Sequence, residues 1–189
     1  AGIGKGRPAM SHNSTGRMVR EKIRAVLTDD TYGWNAQIAA LASSTDWEGI
    51  PPDDPLWYPI DFSDNRQFRE TSILPENLEE GTIRFPFITV YSSSSTNENQ
   101  GRSKGLHFTA VVTAVVNVIL SWEASQPVNT ELRGDLVEHL LINIFHRQSV
   151  WNNSVTFNGE SAIERTAIST GAENWRQGIA ASFVFQVDA

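Results

Sequence analysis

Two histidines on one predicted helix are the first candidates for metal chemistry. His139 and His146 are seven residues apart, and Asp135 precedes His139 by one helical turn. A zinc site needs at least three protein ligands, and no second helix with matching ligands is visible in the sequence. The chain also contains no cysteine, so thiolate sites and disulfides are excluded. We predict no metal site and no cofactor.

Other common catalytic patterns are missing as well. The glycine-rich start GIGKG follows no strand and matches neither nucleotide-binding spacing. No Gly-x-Ser-x-Gly nucleophile elbow occurs. Arg133-Gly134-Asp135 spells an adhesion tripeptide, but it falls within a predicted helix, where it would not be presented as a loop. We therefore predict that the protein is not an enzyme and has a structural or binding function.

Acidic residues concentrate between Ser43 and Glu80. This stretch contains ten acidic residues, two arginines, five prolines and five aromatic residues. A disordered linker would contain fewer aromatic residues, so 43–80 is predicted to be a long, ordered, irregular excursion. Its carboxylates could supply the acid-base pair of a glycosidase, although chance alone provides pairs in so acidic a stretch. Five of them are candidates to face a channel or a neighbouring subunit: Asp46, Asp53, Asp54, Asp61 and Asp64.

The segment LHFTAVVTAVVNVILSW, residues 106–122, organises the rest of the chain. Its even positions are all apolar, and its many β-branched residues favour a strand over a helix. Polar residues in its interior argue against a membrane span. Seventeen extended residues would reach about 55 Å, so the strand must bend, carry a bulge or run onto a neighbour. Val111, Val115 and Ile119 form a second apolar row, which either contacts another subunit or lies under a helix of the same chain.

Periodicity predicts the remaining elements. Helices are predicted from Ser14 or Thr15 to about Asp30, from Trp34 to Ala42, and from Thr130 to His146. The further predicted strands are Thr82–Tyr91, Val150–Phe157 closed by a turn at Asn158-Gly159, Ser161–Thr170 and Trp175–Val187. Strands grouped apart from helices indicate an α+β fold. We expect one domain, 14–189, with an antiparallel sheet of about four or five strands packed against an amphipathic helix.

Two segments are predicted to lie outside the regular structure. Residues 1–13 form a flexible basic arm, and the polar stretch 92–105 forms a mobile loop between two antiparallel strands. Arg102 and Lys104 of that loop are assigned, with the valine row, to a subunit contact. The formal charge of −7 and the lack of a basic stripe in the folded part disfavour general nucleic-acid binding.

The order of these elements resembles the tail terminator and tail completion proteins of tailed bacteriophages. The likeness covers about residues 17–187 and rests on an N-terminal helix followed by FPFITVY, a polar loop, HFTAVVTAVVNVILSW, LRGDLVEHLLINIF and WRQGIAASFVFQV. It implies a virion protein, assembled in the host cytoplasm, that forms a hexameric ring at the head-proximal end of the tail tube. Its implied partners are the tail tube protein and the head-closure or connector protein. DNA would pass through the ring without specific binding, and no membrane is involved.

Three alternatives stay open at this point. Another neck protein, such as a head-closure or head-tail adaptor protein, would share the virion setting. A carbohydrate-active enzyme would use carboxylates of the excursion, and a sugar- or protein-binding module would use exposed tryptophans. The native mass of the purified chain separates a ring from the last two alternatives, because both of them predict a monomer.

Overall fold

The computed structural model describes residues 12–72, 83–98, 109–125, 130–147, 151 and 154–188. Its helices are α1 (His12–Leu27), α2 (Trp34–Leu41) and α3 (Thr130–Phe145). Its strands are β1 (Phe68–Arg69), β2 (Phe87–Glu98), β3 (Thr109–Glu123), β4 (Val155–Arg165), β5 (Ser169–Thr170) and β6 (Asn174–Asp188). The predicted α+β class is confirmed.

The strands form one sheet in the order β1-β2-β3-β6-β4, and β5 pairs with the start of β6. All pairings are antiparallel except that of β1 with β2. The two 15-residue strands β3 and β6 pair over their whole length, from Thr109 opposite Asp188 to Glu123 opposite Asn174. The predicted long strand is therefore confirmed over its described residues.

α1 and α3 cover one face of this sheet. The apolar sides of both helices share a buried core with the even-numbered residues of β3 and the odd-numbered residues of β6. At its centre the ring of Phe145 stacks on that of Phe183, with centroids 3.9 Å apart and an angle of 4° between the planes. The apolar sides predicted for the strands and for α3 therefore pack together in one hydrophobic layer.

α1 and α2 are separate helices joined by a tight turn. The Asp29 carboxylate accepts hydrogen bonds from the backbone N–H groups of Thr31 and Tyr32 at 2.9 and 2.7 Å. Gly33 precedes α2, and a Cβ at this position would lie 2.5 Å from the Asp29 carbonyl oxygen. A larger residue could not occupy the position without moving the turn.

The described part of the excursion, 43–72, is folded against the rest of the domain. It contains two short 3-10 turns, Thr45–Trp47 and Pro55–Trp57, and then β1. Five of its side chains enter the core: Ile50, Leu56, Ile60, Phe62 and Phe68. The amide of Asn35 in α2 holds the excursion by donating to the Ile60 carbonyl and accepting from the Ile60 N–H.

The predicted loop 92–105 was wrong in its first half. β2 begins at Phe87, directly after Pro86, and runs on to Glu98 instead of ending at Tyr91. The segment lacks apolar anchors, but main-chain pairing with β3 holds it, with Glu98 opposite Thr109. A bulge between Ser92 and Ser94 interrupts the register. Residues 99–105 lie outside the described part of the chain.

Two further predicted boundaries need correction. Asn158-Gly159 does not close a hairpin, because β4 runs through it as one strand with a bulge between Phe157 and Gly159. Gly159 has a φ of 114°, a conformation that suits glycine in a bulge as well as in a turn. At the N-terminus, α1 begins at His12, two residues inside the predicted arm. Residues 1–11 are outside the described part.

Candidate assembly surface

The face of the sheet opposite α1 and α3 is the candidate assembly surface, which we call the open face. The odd-numbered residues of β3 and the even-numbered residues of β6 lie on it, because directly opposite residues share a face. None of the three described helices contributes its buried side chains to this face. Its centre carries no charged residue and consists of Val111, Thr113, Val115, Asn117, Ile119, Ala180, Ser182 and Val184.

The structure places the predicted valine row on the open face, but two of its members are already covered. Val115 and Ile119 are only 6% and 4% exposed, whereas Val111 is partly exposed. Tyr91 lies directly opposite Val115, and Phe87 lies directly opposite Ile119. A partner would therefore gain more apolar contact from Val111 than from the other two. Arg102 and Lys104 fall outside the described residues.

A groove of about 370 Å³ lies at one end of the open face. Its walls include Ile83, Phe85, Ile119, Thr166 and Arg176. The Arg176 guanidinium carbon lies 5.4 Å from the centre of the Phe85 ring, within cation-π range. The groove therefore has aromatic and aliphatic walls and one cationic side chain.

Asp54 was predicted to face a channel or a neighbour, and the structure corrects this. Asp54 and Arg133 are 3% and 1% exposed. The Arg133 Nε donates to Asp54 Oδ2 at 2.7 Å, and Nη2 lies 2.6 Å from the same oxygen. Asp54 Oδ1 accepts the Leu56 N–H at 3.0 Å, which caps the second 3-10 turn. The residue ties the excursion to α3 inside the protein.

Arg133, the partner of Asp54, is a buried charge that the sequence patterns did not predict. Its guanidinium also lies 4.8 Å from the Trp122 ring. Arg133 Nη1 and Trp122 Nε1 have no hydrogen-bond partner among the described residues, and Nη2 contacts Asp54 without the alignment of a hydrogen bond. The available signal was its position, one turn before Val137 on the apolar side of α3. A charged residue inside an apolar stripe calls for a buried partner.

The other four candidate acids lie at the protein surface. Asp46, Asp53 and Asp61 are exposed, and Asp64 is partly exposed. The Ser63 hydroxyl donates to Asp61 at 2.6 Å and lowers the pKa of that carboxyl. Hydrogen bonds from the Arg66 side chain, the shortest at 2.8 Å, lower the pKa of Asp64 to about 2. Hydrogen bonds from residues of their own turns therefore keep these two carboxyl groups ionised.

This geometry gives little support to chemistry by the excursion. A glycosidase general acid needs a raised pKa, whereas the pKa values of Asp61 and Asp64 move down. Within the described residues, no group of three His, Asp or Glu side chains is arranged to hold a metal ion. His139 instead contacts Asn143 at 2.8 Å, and His146 contacts Glu160 at 2.5 Å.

The two edges of the sheet differ sharply. β1 pairs with β2 only at Ile88 and Thr89, and no other described strand pairs with that side of β2. β4 forms the opposite edge with two bulges, and it carries charged residues at Glu160, Glu164 and Arg165. Bulges and charges are the usual protection of an edge strand. The edge of β2 from Ser92 to Thr96 has one bulge but no charge.

Comparison with known proteins adds no relative: no family model and no curated protein matches the chain. Across the described segments, the longest helices have 16 residues, and none is both long and apolar enough to cross a lipid bilayer.

Proposed function

We propose that this chain is a structural subunit of a tailed bacteriophage. Copies of it form a ring at the head-proximal end of the tail tube, where they end tube growth and join the tail to the head-closure or connector protein. The observation that carries the proposal is the open face, a sheet surface with an uncharged centre on which no described helix packs. Uncharged sheet surfaces of this kind fit association better than catalysis.

The order of elements supports the same proposal. An N-terminal helix, a long hairpin, an amphipathic helix and a closing strand follow one another in the order on which the resemblance rests, with α2 and the excursion inserted before the hairpin and β4 before the closing strand. The strands β3 and β6 have 15 residues each, well above the usual five or six. Strands of this length extend the open face along the subunit and provide room for contacts with more than one neighbour.

The surface acids define a second part of the proposal. Asp46, Asp53 and Asp61 are exposed, and in the assembled ring they face the channel. A negative wall offers DNA phosphates no cationic partner, so the double helix passes without being held. Asp54 has no part in this wall because it is buried. Asp64 has a minor part because it pairs with Arg66 at 2.8 Å.

A matched pair of charge substitutions tests the ring. Ala180→Arg places a cation at the centre of the open face, whereas Ala40→Arg makes the same change on the exposed surface of α2. We expect native mass spectrometry and negative-stain microscopy to show rings for the wild type and for Ala40→Arg. Ala180→Arg should shift the population to smaller species. A wild-type chain that stays monomeric at all concentrations and cleaves or binds a glycan would contradict the proposal.

The position of the ring in a particle separates a terminator from another neck protein. We expect density for this chain between the tail tube and the head-closure protein in reconstructions of intact virions. Density on the head side of the closure protein would replace the terminator role with an adaptor role and leave the ring unaffected.

A further inference from the structure

We draw no further inference here: the strongest candidate, the groove of about 370 Å³ that Phe85, Ile119 and Thr166 line at one end of the open face, carries nothing because nothing in the structure shows what covers it.

Discussion

The two faces of the sheet are built from the same strands and differ in almost every other respect. On the covered face, Phe145, Phe183 and Phe185 are fully buried against one another. On the open face, the corresponding positions of β6 hold Ala180, Ser182 and Val184, all partly exposed. Alternation along a strand thus gives the sheet one face that packs into the core and one face that we propose for association. Substitutions on the two faces should therefore have different consequences.

The largest difference should come from truncating the aromatic stack. Phe145→Ala removes a fully buried ring that contacts Phe183 and should lower the free energy of unfolding by about 3–5 kcal/mol. Thr113→Val, on the open face, should change it by less than about 0.5 kcal/mol. Denaturant unfolding of both variants measures the contrast. Equal losses would show that the open face also stabilises the isolated fold.

A second large effect on the covered side should come from the buried ion pair. Arg133→Met leaves the Asp54 carboxylate buried without its cation and should cost about 3 kcal/mol of unfolding free energy. The double variant with Asp54→Asn keeps an oxygen for the Leu56 N–H and removes the charge, so it should recover most of the loss. Denaturant unfolding of the two single variants and the double variant gives the coupling energy. A double variant no more stable than Arg133→Met would contradict the argument.

The smallest effect is expected at the rim of the covered face, where His146 contacts Glu160 at 2.5 Å. A hydrogen bond from the backbone and a second one from His146 lower the pKa of Glu160. A lowered pKa in the folded state means that the carboxylate stabilises the fold at pH values above the pKa that it has in the unfolded chain. This contribution is lost as the pH falls through the folded value.

Glu160→Gln measures that contribution. Both side chains are more than a third exposed, so solvent screening should keep the difference from the wild type below about 1 kcal/mol at pH 6. Unfolding free energies measured between pH 6 and pH 3 should converge as the acid is protonated. A difference that grows towards pH 3 would have the wrong sign for a lowered pKa.

The sequence predicted the elements whose signal is periodic. β3, β6 and α3 each carry an apolar side with the expected repeat, and the structure confirms all three within one residue at their described ends, apart from the start of β3. It did not predict the second half of β2, because SSSST is held by main-chain pairing that leaves no pattern in side chains. For the same reason the bulge at Gly159 was read as a turn.

The candidate surface was predicted less well than the fold. The valine row lies on the sheet face opposite α1 and α3, but the burial of Val115 cannot be read from one strand alone. Asp54 was misassigned because its partner Arg133 is 79 residues away in the chain. The net charge of a segment can be counted from the sequence. Which of its charged side chains are buried depends on residues that are distant in the chain.

The link between Asp54 and Arg133 also sets a condition for protein engineering. A shortened version of this chain without residues 43–72 would remove the carboxylate and leave a guanidinium beneath α3 with nothing to neutralise it. Grafting a different insert at the same place would have the same result unless the insert brought its own acid. A variant in which the excursion is shortened or replaced should therefore also have Arg133 substituted by an aliphatic residue.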